Sequence, residues 1–243
     1  MLHLLEKTLE WKGFPVKKAR KHLSDIQALD ASTRKAYAVN SRWEIVKYHF
    51  NHNYLYKKLL NGRIPENWED LPVMTKRDLQ KPLKERLSKG VNPGKLFINK
   101  TSGSSGDPFY FAKDAYCHAM TWAVNLDRFQ RIGIDQNKHY QARFYGIPLD
   151  RMAYYKERLK DVLAARYRFS IFDLGDDKLE QYLQTFRVKK FDYINGYTSA
   201  LLLFAKFLIN KKTVLKKVCP TLKCCVVTSE MLFEEDRKIM QSV

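Results

Sequence analysis

Thr101-Ser-Gly-Ser-Ser-Gly-Asp-Pro108 is a short run of hydroxyl side chains and glycines, and the apolar stretches on either side decide its local structure. Residues 96–98 (Leu-Phe-Ile) precede it and residues 109–111 (Phe-Tyr-Phe) follow it. Both stretches are rich in strand-forming residues and are too short for helices. The pattern therefore predicts a strand, a loop and a second strand.

The residues of this loop suit an anionic ligand. Gly103 and Gly106 can adopt backbone angles closed to other residues, so the amides between them can turn inward around an anion. Four hydroxyls can donate hydrogen bonds to phosphate oxygens, those of Thr101, Ser102, Ser104 and Ser105. Composition alone leaves two interpretations open, a polyphosphate-binding loop and a flexible surface hairpin.

Two other phosphate-binding motifs fit this stretch poorly. A Walker loop ends in Gly-Lys-Ser/Thr, whereas this chain has Gly106-Asp107-Pro108. A dinucleotide fingerprint must open a helix, which Pro108 and the aromatic residues after it oppose. The loop is therefore a candidate for a different kind of phosphate site.

The amino-acid composition indicates which class of protein this is. The 243 residues are 45% hydrophobic and 13% aromatic, enough for one substantial globular core with a helical extension. No apolar run is long enough to cross a membrane, and residues 1–6 do not read as a signal peptide, so we expect a cytoplasmic protein without membrane insertion. Four cysteines lack zinc-site spacing and are predicted to be reduced, mostly buried thiols: Cys117, Cys219, Cys224 and Cys225.

The chain is strongly basic. Lys and Arg total 44 against 26 Asp and Glu, which gives a formal net charge of +18. The basic residues are scattered in pairs, and no basic block carries regularly interleaved aromatic residues. We therefore predict a solvated basic surface that attracts anionic ligands, and no specific nucleic-acid partner.

The order of predicted elements indicates the fold. Residues 1–60 are predicted to form a helical segment packed on a main domain of residues 61–243. Prolines punctuate residues 61–94, where Thr75 and Asp78 form a helix-start pattern. Further helices are predicted from Asp114 to Gly133, through 152–163 and 179–186, and from Thr198 and Glu234. Strands are predicted within 139–148, 168–174, 191–194 and 222–227. This alternation predicts an α/β domain with a layered, largely parallel sheet flanked by helices.

Ligands of such sheets bind beyond the carboxyl ends of the strands, so the turns there are candidate sites. Two are singled out, residues 195–199 (Asn-Gly-Tyr-Thr-Ser) and residues 228–230 (Thr-Ser-Glu). A helix N-cap and an ordinary strand-ending turn are the alternative interpretations of these two stretches.

The order Thr-Ser-Gly-Ser-Ser-Gly-Asp-Pro resembles the phosphate-loop signature of the adenylate-forming superfamily, Thr-Ser-Gly-Ser/Thr-Ser/Thr-Gly-x-Pro. More narrowly, the chain resembles the phenylacetate-CoA ligase and capsular polysaccharide CapK branch. Residues 71–79 are similar to its Leu-Pro-x-x-Thr-Lys-x-x-Leu segment, and residues 196–199 to its Gly-Tyr-Pro-Ser turn, with Thr198 in place of proline. Together with the Ser229-Glu230 turn, the matches cover roughly residues 42–243.

The resemblance implies an ATP-dependent, AMP-forming ligase that uses ATP, Mg²⁺ and CoA. A carboxylate attacks the α-phosphate of ATP, and the acyl-adenylate then passes to a thiol. The acid is organic, with an aromatic acid and a role in capsule or surface-polysaccharide synthesis as candidates. By resemblance the nucleotide is held by Thr101, Ser102, Gly103, Ser104, Ser105, Gly106, Ser229 and Glu230, and the acid by Tyr145, Gly146, Gly196 and Tyr197.

The chain also departs from the family pattern. Asp107 stands where many members have lysine. The family's Mg²⁺-binding glutamate, hinge and mobile domain with a catalytic lysine have no counterpart before Val243. We therefore expect the N-terminal portion of such an enzyme. It is either a truncated, noncatalytic nucleotide- or anion-binding remnant or half of a split enzyme that a second polypeptide completes.

Overall fold

The structure is a computed structural model that describes residues 5–101, 108–146 and 151–243. The chain divides into two compact units, Leu9–Val124 and Asn125–Val243, the second joined by the described part of residues 1–8. This division by compactness does not coincide with the boundary expected after residue 60, and the domain boundary stays a prediction. No helix within the described ranges has the length and apolar character needed to cross a membrane.

The first 60 residues are helical where described, as predicted. The helices are α1 (Leu5–Trp11), α2 (Val16–Ala28), α3 (Ala31–His52) and α4 (Tyr54–Leu59). Asp30 begins α3, because its carboxylate accepts hydrogen bonds from the backbone N–H groups of Ser32 at 2.9 Å and Thr33 at 3.0 Å. These bonds satisfy N–H groups that have no partner inside the helix.

Buried Asn53 separates α3 from α4 and ties them to a later segment. Its side-chain oxygen accepts from the N–H of Tyr56 at 3.0 Å, and its amide nitrogen donates to the carbonyl of Arg86 at 2.8 Å. One side chain thus caps α4 and fixes a contact across 33 residues.

The helix predicted from Thr75 does not form. Thr75 and Asp78 do make the expected cap, with the Thr75 N–H 2.8 Å and its hydroxyl 2.7 Å from Oδ2 of Asp78. The segment nevertheless forms only a turn, because Val73 and Met74 are exposed and supply no apolar face for a helix to bury. The helical pieces of this region are the short helix α5 (Leu83–Arg86) and two 3₁₀ turns, Trp68–Asp70 and Pro93–Lys95.

The predicted strand, loop and strand around residues 101–108 are confirmed as a β-hairpin. Strands β1 (Phe97–Lys100) and β2 (Tyr110–Lys113) pair antiparallel, with Phe97 opposite Lys113 and Lys100 opposite Tyr110. Residues 102–107 lie outside the described residues. Helix α6 (Ala115–Arg131) follows; Asp114 accepts from the N–H of Cys117 at 2.6 Å at its start, as predicted.

The second unit contains the predicted α/β sheet. Its strands are all parallel, in the spatial order β4-β3-β5-β6. The elements, in chain order, are β3 (Gln141–Phe144), α7 (Arg151–Leu163), β4 (Arg166–Phe169), α8 (Asp176–Val188), β5 (Tyr193–Tyr197), α9 (Thr198–Asn210), α10 (Leu215–Val218), β6 (Cys224–Thr228) and α11 (Glu234–Gln241).

One face of this sheet packs against α8 and α9 and forms the main core. Phe144 and Phe169 are fully buried, and the Phe169 ring stacks on Phe186 of α8 with centroids 5.3 Å apart. Phe204 of α9 completes the aromatic cluster, 5.5 Å from Phe144. Each fully buried side chain of this kind contributes about 1.5–3 kcal/mol of transfer free energy. This core fixes the strands whose ends carry the candidate site.

The other face of the sheet is polar. Because side chains alternate along a strand, Arg143, Arg166 and Arg168 point away from the aromatic core. Asp161 of α7 covers part of this face and pairs with Arg166 and Arg168 at 2.5 and 3.0 Å. Parallel strands are usually apolar on both faces, so these arginines are a specific feature of the sheet.

Several predicted boundaries are wrong by a few residues. Strand β4 ends at Phe169 instead of Leu174, because the Asp173 side chain accepts from the N–H of Gly175 at 3.1 Å and forms a turn before α8. Residues 195–197, predicted as a turn, belong to β5, where they pair with residues 226–228 of β6.

The predicted burial of the cysteines is also wrong in part. All four are free thiols, as predicted. Cys219 is buried, but Cys117 and Cys225 are exposed and Cys224 is half-buried. Cys224 and Cys225 lie in β6, which is the last strand at one edge of the sheet, and an edge strand covers its side chains less completely than a central one.

Candidate functional site

Thr101 closes the hairpin at the base of the candidate phosphate loop. Its N–H donates to the carbonyl of Phe109 at 3.0 Å, and its hydroxyl oxygen accepts from the Phe109 N–H at 3.0 Å. Since the hydroxyl accepts there, its own proton is available to a further acceptor. The other loop residues predicted to bind phosphate lie outside the described residues: Ser102, Gly103, Ser104, Ser105 and Gly106. Their contacts stay predictions.

Arg86 supports the hairpin from α5. Its guanidinium donates to the carbonyl of Tyr110, its Nε donates to the carbonyl of Lys81 at 2.9 Å, and its guanidinium carbon lies 4.8 Å from the centroid of the Phe109 ring. One side chain thus holds the first residues of the second strand directly after the loop. This positioning residue was not identified from the sequence, because the hairpin residue to which it donates, Tyr110, lies 24 residues away.

In the second unit, the sheet brings the predicted strand-end residues to one edge. Tyr145 and Gly146 follow β3, Gly196 and Tyr197 end β5, and the Ser229-Glu230 turn follows β6. Because all these strands are parallel, their carboxyl ends share this edge. The rings of Tyr145 and Tyr197 lie 5.1 Å apart at 56°. The structure thus groups all six predicted strand-end residues.

The two glycines of this group have packing roles. A Cβ at Gly196 would lie 2.5 Å from the Phe144 Cβ and 2.9 Å from its carbonyl oxygen, and one at Gly146 would lie 2.9 Å from the ring of Phe172. Glycine is therefore needed at position 196 for β5 to lie against β3, whereas a Cβ at position 146 would require only the exposed Phe172 ring to move.

Glu230 caps helix α9 from another strand end. Its carboxylate accepts from the N–H of Ser199 at 2.6 Å and from the Ser199 hydroxyl at 3.0 Å, and its carbonyl accepts from the Thr198 hydroxyl at 3.3 Å. Ser229 has a positive φ of 70°, an uncommon conformation that allows the chain to turn here. Thr198 was a predicted cap; it is instead the first helical residue, and Glu230 supplies the cap.

Arg143 is a site residue that sequence reasoning missed. Its guanidinium carbon lies 4.0 Å from the centroid of the Tyr145 ring, and its Nε is buried without a hydrogen-bond partner among the described residues. Burial, together with the nearby positive charge of Arg166, lowers the pKa of Arg143 to about 10, and the group stays protonated at neutral pH. The strand period of residues 141–145, which puts Arg143 and Tyr145 on one face, was the available signal.

Arg168 links helix α7 to the edge of the sheet that carries the predicted strand-end residues. It donates to Asp161 at 3.0 Å, to Glu157 at 2.9 Å and to the carbonyl of Gly146 at 2.9 Å. This network joins β4, α7 and the end of β3. Burial raises the pKa of the Tyr145 phenol, while Arg143 and a hydrogen bond with Thr228 oppose that rise, so Tyr145 is a neutral hydroxyl at this edge.

No group of three or more His, Cys, Asp or Glu side chains in the described ranges is arranged to hold a metal ion. The Mg²⁺ implied by the resemblance therefore has no ligands assigned to it here.

No protein-family profile matches this sequence, and no curated protein does. Solved structures do match. The chain aligns with a 2-hydroxyisobutyryl-CoA ligase in an open conformation in complex with 2-HIB-AMP and CoA, with a TM-score of 0.59 and 16% identity over 88% of this chain and 49% of that one. This chain has the fold of part of an acyl-CoA ligase.

Two further states of that ligase give the same result. The complex with 2-HIB-AMP and CoA in the thioesterification state has a TM-score of 0.60 at 17% identity, over 88% of this chain and 47% of the ligase. The postadenylation state with R3-HIB-AMP has a TM-score of 0.57 at 16% identity, over 88% and 48%. The chain thus spans about half the length of the acyl-CoA ligase structures it matches. The likeness concerns the fold, which agrees with the superfamily that the loop sequence resembles.

Proposed function

We propose that this chain is the ATP- and acid-binding part of an AMP-forming acid–CoA ligase of the phenylacetate-CoA ligase and CapK type. The observation that carries the proposal is the position of residues 101–108. This phosphate-loop sequence joins the two strands of a hairpin in a chain with the acyl-CoA ligase fold.

The first step joins two anions, since a carboxylate attacks the α-phosphate of ATP and pyrophosphate leaves. Donors and positive charge must offset their repulsion and the charge that develops at phosphorus. The amides between Gly103 and Gly106 and the hydroxyls of the loop would hold the β- and γ-phosphates. The hydroxyl of Thr101 keeps a free proton for this purpose while it closes the hairpin. The net charge of +18 favours the approach of ATP and CoA.

The acid would bind at the edge of the parallel sheet. Tyr145 and Tyr197 present two aromatic rings beside the ends of β3 and β5, which suits an aromatic acid. Ser229 and Glu230 would border the adenylate, with Glu230 also holding the start of α9. CoA would accept the acyl group in the second step.

Acid-dependent pyrophosphate release tests this function. The chain is incubated with ATP, Mg²⁺ and phenylacetate or benzoate, and hydroxylamine traps the acyl-adenylate as a hydroxamate. We expect pyrophosphate release by the parent only when the acid is present, and slower release by the Thr101→Ala variant. Thr213→Ala, which removes a loop hydroxyl that donates to the carbonyl of Lys211 in the second unit, should behave like the parent. Release that does not depend on the acid or on Thr101 would contradict the proposal.

A second candidate is a noncatalytic nucleotide-binding chain. ATP binding without acid-dependent pyrophosphate release would identify this function. If adding a second polypeptide restored acid-dependent pyrophosphate release, the chain would instead be half of a split enzyme.

A further inference from the structure

Arg143 lies in β3, between β4 and β5, and it forms no ion pair within hydrogen-bond distance in the described ranges. The side chain is half-buried, and its Nε is buried without a hydrogen bond. Its guanidinium carbon lies 4.0 Å from the centroid of the Tyr145 ring. A cation over an aromatic ring is attracted to it, but the ring leaves the N–H groups of the guanidinium unsatisfied.

The neighbouring arginines, unlike Arg143, form ion pairs. Arg168, directly opposite Arg143 in the register of β3 and β4, pairs with Asp161 at 3.0 Å and Glu157 at 2.9 Å. Arg166 pairs with Asp161 at 2.5 Å. The two carboxylates of α7 form their direct ion pairs on this face with Arg166 and Arg168. Within the described residues, Arg143 is the arginine of this face that has no direct ion pair, although Asp161 attracts it at longer range.

An unpaired cation at this depth has a cost in free energy. Moving a charge out of water is unfavourable unless an opposite charge or hydrogen bonds compensate for the lost hydration. Like charges that face each other on neighbouring strands add to this cost. Buried polar groups without partners are uncommon in native structures, and a bound ligand is one way in which such a group is completed. An anion bound at Arg143 would remove the cost.

The surroundings define the chemical class of that anion. The guanidinium is planar and matches a carboxylate through two parallel hydrogen bonds. Tyr145 stacks on it, and the Tyr197 ring is 5.1 Å from that of Tyr145 at the open ends of the strands. A small carboxylate with a planar or aromatic body satisfies both the charge and the rings.

We propose that Arg143 binds the carboxylate of the acid at the carboxyl ends of β3 and β5, with Tyr145 and Tyr197 flanking its body. The identification of this anion as the ligase substrate rests on the proposed function, whereas the binding of a carboxylate does not. Pairing with Arg143 would also offset the negative charge of the bound acid.

Calorimetry with benzoate and its uncharged analogue benzamide tests the assignment on the whole chain without ATP. We expect benzoate to bind at least about tenfold more tightly than benzamide. Arg143→Gln should weaken benzoate at least about tenfold and leave benzamide unchanged, with a smaller loss in Arg143→Lys, which keeps the charge without the planar fork. Arg187→Gln, which removes an exposed arginine of α8, is the matched control and should bind like the parent.

Thermal unfolding separates a binding role from a structural one. Arg143→Met removes a half-buried charge that has no direct ion pair, so it should keep or raise the melting temperature without ligand. Arg168→Met should lower the melting temperature, because it breaks the ion pairs of Arg168 with Asp161 and Glu157. Benzoate should raise the melting temperature of the parent and not of Arg143→Met. A lower melting temperature in Arg143→Met, equal affinity for benzoate and benzamide, or unchanged benzoate binding in Arg143→Gln would overturn the assignment. Since ATP takes no part, failure of ATP binding or of pyrophosphate release would not produce these results.

Discussion

Gly196 illustrates how a single residue sets the spacing of the strands that carry the proposed acid-binding edge. Any Cβ at this position would lie 2.5 Å from the Phe144 Cβ and 2.9 Å from the Phe144 carbonyl oxygen. Because one of these atoms is backbone, β3 must shift to accommodate a larger residue. Glycine in a strand interior usually weakens it, so its presence here reflects this close approach.

We predict that Gly196→Ala lowers the free energy of unfolding by about 2–3 kcal/mol, the upper range for overpacking a core. Urea unfolding monitored by circular dichroism measures the change. Gly175→Ala is the control, because its Cβ would meet only the Asp173 carboxylate, at 3.5 Å, and we expect a loss of about 1 kcal/mol or less there. Equal losses in the two variants would contradict this account of Gly196.

His118 is a second residue with a measurable signature. Its ring stacks on that of Phe97 with centroids 3.8 Å apart, and the centroid of the Phe14 ring lies 4.4 Å away. Its Nε2 accepts a hydrogen bond from Nε1 of Trp122 at 3.2 Å, whereas its Nδ1 is buried without a partner among the described residues. Burial lowers the pKa of His118 below its ordinary value of 6.5, and Lys113 lowers it further. The folded chain therefore favours the neutral form of His118.

This depressed pKa predicts how stability changes with pH. Above pH 6.5, the pKa of the unfolded state, His118 is neutral in both the folded and the unfolded chain, and the free energy of unfolding does not depend on its titration. As the pH falls below 6.5, the unfolded chain binds the proton first, so the free energy of unfolding decreases. The decrease ends once the pH is below the pKa of the folded state. We expect lower stability to urea at about pH 5 than at about pH 7.5, with a smaller difference in His118→Phe, which keeps the stack and cannot titrate. The same pH difference in the variant would show that His118 does not contribute.

At the scale of elements, helix α9 depends on a turn 31 residues later in the chain. Glu230 accepts from the N–H and hydroxyl of Ser199 at the start of the helix, where a negative charge also interacts favourably with the helix dipole. No local side chain caps this helix. The contact therefore couples the end of β6 to the first turn of α9.

We predict that Glu230→Ala lowers the free energy of unfolding by about 1–2 kcal/mol, the range for loss of a helix cap. Glu235→Ala is the control. That glutamate also lies in a first helical turn, of α11, but no hydrogen bond of its side chain is found in the described part of the chain. Its removal should cost only about 0.3–1 kcal/mol. A loss in Glu230→Ala no larger than in the control would show that the cap is unimportant.

Local patterns predicted the elements well and their ends less well. The hairpin, α8 and the parallel sheet follow from apolar runs of the right period, and the structure confirms them. The extension of β5 through Tyr197 follows instead from pairing with β6, which no local pattern contains. Arg143 was missed for a related reason: a lysine or arginine in a basic chain looks like surface charge until its neighbours across the sheet are known.

At the scale of the whole molecule, the fold and the sequence support one account by different routes. The sheet with its helices matches acyl-CoA ligases at 16–17% identity, where sequence alone carries little signal. The loop sequence 101–108 carries the chemical resemblance, and Thr101 closes the hairpin on which that loop stands. The account predicts that the phosphates of a nucleotide bind at this loop.

The most direct measurement is a calorimetric titration of ATP into the chain and into a Thr101→Ala, Gly103→Val double variant, with Thr213→Ala as the control. We predict that the parent and the control bind one ATP, and that the double variant binds it at least about tenfold more weakly because it loses a hydroxyl and the backbone freedom of the loop. Equal ATP affinity in the parent and the double variant, or no ATP binding by the parent, would contradict the account.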